Sequence, residues 1–385
     1  MRAATVSVVH SDPVRAGRDA AAEMLSELGS VPEQVLLFVS SRLDPTEVLA
    51  GFTSRLPANV QIAGCSSFAE INSEEGLDQS VTAMGITGLS CTTLKVDSMM
   101  PDSRQAGRSI GAQAKELEAS LLITFPDGMQ GNTAEYIRGI QDILGAEFPI
   151  VGGVAAEHLA FQRTNEFYNR EVLTGGAVAV AIRGAVTLGT SARSGFQPVG
   201  GLRTITKVEG QHLILELDGQ PALRIYKDFL GDTPANPQMV GIQFPLLLVF
   251  DVAGSHMTSD DRVHVVRVVR SLDEEKGGLL LGGEVAVGMQ VRLTRTVKDD
   301  LLRGAVEAVE EACKKVPRPD VAFIFGCAGR KLLLGPHYQQ EMAGAFARLG
   351  REVPKVGFYT YGELSPVHNV TIYHDETFTI ALVKA

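Results

Sequence analysis

Cysteine is scarce in this chain of 385 residues: Cys65, Cys91, Cys313 and Cys327 are the only four. They lie far apart, with no C-x-x-C pair and no histidine spacing that suits zinc, so a zinc ribbon is excluded and the four read as reduced thiols. Cys313 falls on the apolar face of an expected helix and reads as core. An excess of basic residues is also missing, since 35 Lys and Arg against 45 Asp and Glu leave a net charge of −10. Nucleic acid or an anionic membrane would call for a basic patch, so neither is expected as the main partner. Long hydrophobic runs are absent too: the longest, "FPLLLVF" at 244–250, is far too short to span a bilayer. The start, "MRAATVSVVHSDP", shows no small-residue cleavage site, so no signal peptide is read and a cytoplasmic location is expected. The eight histidines, His256 among them, include no C-x-x-C-H haem attachment and no set that reads as a metal site. The common catalytic signatures G-x-x-x-x-G-K-[ST], G-x-S-x-G and H-E-x-x-H are all lacking.

What is present is the composition of a globular protein, 45% hydrophobic and 21% charged, long enough for two ordinary domains or one large duplicated one. Three stretches share one strand-helix-strand grammar. The first runs from strand 34–41 through a helix at 44–56, capped by Asp44 with Pro45 in its first turn, to strand 60–67. The second runs from 121–127 through a helix at 133–144, after Asn132 and ended by Gly145, to 148–156. The third runs from 321–330 through a helix at 338–349 to 353–360. Helical connections of this length favour parallel strands. Further strands are expected within 80–87, 175–190 and 369–383, and further helices at 13–28 and 298–315, with Gly17 a gap in the apolar stripe of the former. Alternation such as "AVAVAI" and "TFTIALV", with neither face charged, describes sheets covered on both sides. The expected fold is therefore α/β, two related halves built on strand-helix-strand units, with mixed sheets inside and helices outside. A boundary is read between 195 and 220, dividing residues 1–200 from 201–385. The glycine-rich "GGLLLGGEVAVG" at 277–288 lacks a dinucleotide fingerprint and reads as a hairpin.

One phrase occurs twice. "GCSSFAEI" (64–71) and "GFYTYGEL" (357–364) both run Gly, two residues, Ser or Thr, an aromatic, a small residue, Glu, an aliphatic. Each closes a strand-helix-strand unit, and carboxyl ends of strands are where open α/β sheets place ligands. Arg330 and Glu363 fall beyond two such ends. Facing one crevice, they suit a zwitterion such as an amino acid, the guanidinium for its carboxylate and the glutamate for its ammonium. Facing each other, they form an internal salt bridge. Cys327, and likewise Cys65, stands at a strand end where a thiolate would be nucleophilic if a neighbour such as Arg330 lowered its pKa. With no activating His or acid nearby in sequence, the favoured reading is a small apolar residue.

Together these phrases resemble the FIST family of sensory proteins, with an N-terminal and a C-terminal FIST domain. "IAGCSSFAEI" and "VGGVAAE" look like the strand-end glycine motifs of the first. "GAVAVAI", "SGFQPVGGLRTITKVEG" and "LDGQPALRIYKDFLG" look like the join. "FIFGCAGRKLLLG", "VPKVGFYTYGELSP" and "HNVTIY" look like the closing signature of the second. The match runs from about residue 30 to the end. The resemblance implies a cytoplasmic input module for signal transduction that binds a small ligand, with amino acids proposed for the family. It also implies an alternative, a haem protein that responds to nitric oxide and acts on a histidine kinase. Both sensory halves use up the chain, so a separate partner protein is expected to carry the output. No cofactor is expected outside the haem alternative, and a Cys-dependent enzyme is the remaining reading. The expected ligand-binding residues are Gly326, Cys327, Gly329, Arg330, Gly357, Tyr359, Thr360 and Glu363. The corresponding earlier positions are Gly64, Cys65, Ser66 and Glu70, with Gly152 and Gly153 at the middle unit. If one copy alone works, the later one is expected to, because only there does an arginine stand across from the glutamate.

Overall fold

The computed structural model describes residues 1–231, 237–250 and 262–385, so His256 lies outside the described residues. Its frame is one supersecondary unit written three times. The first unit comprises β1 (Arg2–Val9), α1 (Pro13–Leu28), β2 (Gln34–Ser40), α2 (Pro45–Thr53), β3 (Gln61–Ser67), the hairpin β4 (Ala69–Ile71) and β5 (Gly76–Leu77), and β6 (Ser80–Thr87). The second repeats it as β7 (Cys91–Val96), α3 (Ser103–Glu116), β8 (Ala119–Pro126), α4 (Thr133–Leu144), β9 (Ile150–Gly153), the hairpin β10 (Glu166–Tyr168) and β11 (Glu171–Leu173), and β12 (Ala177–Arg183).

The third unit opens with β13 (Thr187–Arg193) and is then interrupted by a lobe: β14 (Gln197–Glu209), β15 (Leu213–Leu217), β16 (Gln220–Pro221), α5 (Ala222–Leu230), α6 (Pro237–Gln243), β17 (Leu246–Phe250), β18 (Val263–Arg267), β19 (Val269–Asp273), β20 (Gly278–Leu281) and β21 (Gln290–Arg295). It resumes with α7 (Lys298–Lys315), β22 (Val321–Cys327), α8 (Ala328–Leu334), α9 (Tyr338–Leu349), β23 (Lys355–Thr360), the hairpin β24 (Glu363–Val367) and β25 (Val370–His374), and β26 (Phe378–Lys384).

Each unit builds four strands of a six-stranded sheet and lends its hairpin to a neighbour. The orders are β1-β6-β2-β3-β10-β11, β7-β12-β8-β9-β24-β25 and β13-β26-β22-β23-β4-β5. In all three the two central strands are parallel, and the lent hairpin joins antiparallel. The hairpins pass from unit one to three, three to two and two to one, so the two halves of the chain are interleaved.

The period-2 pattern places the bulky faces of all three sheets on one shared core, which they surround as a three-walled barrel. Leu36 and Phe38, Ile123 and Phe125, and Phe323 and Phe325 meet there with Val178, Val180 and Val383. Phe38, Phe125 and Phe325 occupy equivalent positions, and with Phe358 they form a cluster whose ring centroids lie 4.7–6.4 Å apart. The opposite faces carry α1 with α2, α3 with α4, and α7 with α9. Asp12, Asp44, Asp102 and Asn132 cap four of these helices with hydrogen bonds of 2.9–3.1 Å to the third amide, worth about 1 kcal/mol each.

Gly17 is no weakening gap: α1 crosses α2 there so closely that a β-carbon would overlap the Val48 carbonyl, and Gly51 meets the Val14 carbonyl in return. Gly107 and Gly139 do the same for α3 and α4. Nor does 277–288 fold on itself as a hairpin. Its strand β20 pairs with β19 and β15, because the chain reverses ahead of β20, in the turn 274–277 where Gly277 has a φ of +68°, and not at Gly282 and Gly283. Among the described residues no helix is long and apolar enough to cross a membrane.

Candidate functional site

The repeated phrase is a structural joint. Gly64, Gly152 and Gly357 sit at equivalent points of β3, β9 and β23, where a β-carbon would overlap the carbonyl oxygens of Leu37, Thr124 and Ile324 on the parallel neighbour. The residue after each glycine pairs with a glutamate from a lent hairpin: Phe358 with Glu70, Cys65 with Glu166, and Gly153 with Glu363. All three glutamates are fully buried. Glu70 accepts the Ser80 amide at 2.9 Å, the Ser80 hydroxyl at 2.7 Å and the Ser67 hydroxyl. Glu363 accepts the Thr377 amide at 3.1 Å and hydroxyl at 2.6 Å. Each thereby ties its hairpin to the last strand of its own unit. Neither carboxylate oxygen of Glu166 has a hydrogen-bond partner among the described residues. Burial pushes Glu70 up to about 8 and moves Glu166 and Glu363 well above the usual carboxylate range. The third glutamate escaped sequence reasoning because residues 154–165 separate it from its glycine.

The expected crevice between Arg330 and Glu363 is not formed, and the two do not pair with each other. Arg330 opens α8 directly after β22 and points inward, fully buried. Its Nη2 lies 2.5 Å from Glu341 Oε1 and donates to the Leu301 carbonyl at 2.9 Å, while Nη1 donates to the Ser194 carbonyl. A guanidinium so engaged has no face left for a ligand carboxylate. Tyr359 and Thr360 are buried as well, the first donating to Glu341 Oε2 at 3.2 Å and the second to the Val154 carbonyl at 2.7 Å. Gly326 packs under the Tyr359 ring and Gly329 against the Glu376 carboxylate. Ser66 bonds the Ala156 carbonyl at 3.0 Å. Cys65 and Cys327 are buried, and burial pushes both thiols well above the usual range, which disfavours the thiolate a nucleophile needs.

An open site lies at the end of β8, between the second unit and the inserted lobe. There a cavity of about 300 Å³ is lined by Asp127, Asn132, His212, Arg270, Gly282, Gly283, Glu284, Tyr361 and Tyr373, among others. Asp127 folds the loop beneath it, accepting the amides of Met129 at 2.7 Å and Gln130 at 2.6 Å with one oxygen, and Thr164 Oγ1 at 2.7 Å and the Gly175 amide at 3.0 Å with the other. Across the cavity Asn132 Nδ2 donates to Glu284 at 2.9 Å and Arg138 pairs with the same carboxylate, clasping lobe to barrel. Burial would raise Glu284, but these donors hold it below its usual range.

The charged groups beside this cavity are only partly spent. Asp375 is buried with Oδ1 accepting the Tyr373 hydroxyl at 2.9 Å, whereas its Oδ2 has no hydrogen-bond partner among the described residues. Arg267, buried and 5.5 Å from the Tyr373 ring, has an Nε without a hydrogen-bond partner among the described residues, and burial pushes its pKa down. Gly282 stands between Asp375 Oδ2 and Arg270 Nε, which would lie 3.0 and 3.3 Å from a β-carbon placed there. Arg270, which lines the cavity, and Asp375, buried behind that wall, thus approach the same point at Gly282. Among the described residues no three His, Cys, Asp or Glu side chains are grouped to hold a metal ion. Sequence reasoning missed this set. Its only signals were Asp127 at a strand end and the paired glycines 282–283.

The FIST N domain matches residues 33–220 and the FIST C domain residues 222–366, which together take in most of the chain. The chain belongs to the FIST family. FIST domains are in general sensory domains of signal transduction. The FIST chain is 30% identical over 241 residues to an uncharacterized protein of Mycobacterium tuberculosis, a match covering 60% of this chain and 60% of that protein. It spans, then, about 60% of the length of that relative. A Methanocaldococcus jannaschii protein, also uncharacterized, is 20% identical over 410 residues, covering 96% of this chain and 76% of its own. Among solved structures, a cyanuric acid hydrolase from A. caulinodans aligns over 48% of the FIST chain and 72% of its own, at 9% identity and a TM-score of 0.26, too low to support an argument about fold or function.

Proposed function

We propose that this FIST chain is a cytoplasmic sensory module that binds a small zwitterion, an amino acid in the simplest case, between its inserted lobe and its barrel, and that a separate signalling protein reads the result. The observation that carries this reading is the convergence of Arg270 and the unpartnered Asp375 oxygen at Gly282. A ligand carboxylate would meet the guanidinium, and its ammonium would reach the buried Asp375 carboxylate only through the gap that Gly282, lacking a side chain, leaves in the wall. The cavity, about 300 Å³, lies at the lower end of the range for small-molecule sites and between two bodies, where such sites are frequent. A ligand touching both lobe and barrel favours one lobe position over others, and a partner such as a histidine kinase would respond to that shift.

The haem alternative draws less support. His212 lines the cavity with Nδ1 3.1 Å from the Gly283 carbonyl, but the cavity of about 300 Å³ lies at the small end of the range for ligand sites and carries Arg270 and Glu284 in its lining, which suits a large apolar macrocycle poorly. What weighs against the Cys-dependent enzyme is the burial of both strand-end thiols. Thermal denaturation against a panel of amino acids tests the proposal. A ligand at a hundred times its Kd stabilises by about 2.7 kcal/mol. If no amino acid raises the melting temperature at millimolar concentration, the amino-acid reading fails, and a Soret band on haem titration would revive its rival.

A further inference from the structure

A second constellation stands at the corresponding end of the first unit. Ser41 follows β2, and its hydroxyl lies 2.7 Å from Nδ1 of His158, a residue 117 positions away on the loop after β9. Both residues are partly exposed and the contact between them is part-buried. Phe68 holds the imidazole, ring centroids 5.3 Å apart and planes tilted by 33°. Arg42, exposed and without an ion pair among the described residues, stands next to the serine, and Lys331 is engaged by Asp78 at 2.9 Å. Burial, then Arg42, lowers the affinity of His158 for a proton, with Lys331 adding to this and Asp78 and Glu157 opposing it, and the net lowering favours the neutral ring that can accept a proton.

A serine hydroxyl in hydrogen-bond contact with a neutral imidazole is the minimum apparatus of nucleophilic acyl transfer, whatever the surrounding fold. We propose that Ser41 and His158 form a catalytic dyad that cleaves small carboxylic esters bearing an anionic group, independently of the cavity at β8. Ser41 Oγ bonds to the acyl carbon as its proton passes to His158 Nδ1. The alcohol leaves with that proton as its bond to the acyl carbon breaks. Water, deprotonated by the same nitrogen, then bonds to the acyl carbon and releases the acid, and the proton returns to Ser41. Arg42 supplies the attraction for the anionic end of the acyl group. The chain lacks G-x-S-x-G, so this serine stands on a plain strand-to-loop exit and not on a nucleophile elbow.

The test is intact-mass analysis after exposure to an alkyl fluorophosphonate, with peptide mapping of the adduct, beside hydrolysis of the 4-nitrophenyl monoesters of acetic and succinic acid. The expected result is one adduct on Ser41, absent from Ser41→Ala and about a hundredfold slower in His158→Gln, as loss of a general base requires. Succinyl ester should be preferred, and Arg42→Ala should erase that preference. No adduct on Ser41, or labelling at an equal rate in a folded His158→Gln protein, overturns the proposal. Should that variant not fold, the pH profile of the native protein decides. Labelling must slow as the imidazole titrates, at a pH below the ordinary histidine range, and a flat profile overturns it.

Discussion

The ends of β22 and β8 are equivalent in the threefold frame, yet one is sealed and the other open. After β22 the chain enters α8 at once, and Arg330 is driven inward to Glu341, Ser194 and Leu301. After β8 residues 127–132 form a loop before α4 begins, Asp127 satisfies that loop's own amides, and the space left above it is roofed by the inserted lobe. The lesson is that the fold of the connection decides the outcome: the extra helix α8 fills the end of β22 with protein, whereas the loop 127–132 leaves room at the end of β8 for a ligand. A charged residue at a strand end is no guide by itself.

The sharpest way to break this comparison is to unseal the closed end. Arg330→Met strands the buried Glu341 carboxylate, and a loss of about 3–5 kcal/mol in urea unfolding is expected. A loss well under 1 kcal/mol would mean that Arg330 is not locked in place. Next in size is the joint shared by all three units. Gly357→Ala and Gly152→Ala should each cost about 1–3 kcal/mol, because the neighbouring strand cannot move away from the new methyl group. A tolerated alanine at either position would break their equivalence.

The pH dependence of stability gives a smaller effect per unit step of pH. The folded protein holds Glu70 protonated up to about 8, against an ordinary value of 4.5, so it binds a proton that the unfolded chain releases in between. Stability from this group is complete below about pH 4.5 and is lost as pH rises toward 8, with a slope of up to about 1.4 kcal/mol per pH unit. Glu70→Gln should flatten the stability profile across that window, and an unchanged slope by chemical denaturation at a series of pH values would refute the assignment. Smallest of all is Arg270→Ala at the open end. On a surface-exposed side chain it should alter stability without ligand by no more than about 0.5 kcal/mol while abolishing any amino-acid-induced rise in melting temperature. Retained ligand stabilisation in this variant would separate Arg270 from the site.

Much of the frame is legible in the chain because it is written locally. The helices at 13–28, 133–144, 298–315 and 338–349 have the bounds that apolar period and end signals indicate, and the strand at 80–87 matches its alternation. Both faces of "AVAVAI" are buried, with Val178 and Val180 on the shared core and Ala177 and Ala179 under helices. The site was far less legible. Arg330 looked available because its partner Glu341 lies on a separate helix, and nothing in the sequence around 330 announces that contact. Arg270 and Asp375 belong to different bodies and are joined only where Gly282 lets them approach.

The sequence by itself determined the repeated strand-helix-strand grammar, the two-sided burial of the sheets and the recurring glycine and glutamate, because periodicity, caps and close backbone approach act over a few residues. Tertiary structure alone decided that the grammar closes three times around one core, since hairpin exchange is set by which sheet edge is free. It alone decided which strand end stays open, and it brought Ser41 to His158 and Arg270 to Asp375. Such meetings depend on how whole elements pack, and a linear pattern carries no record of distance in space.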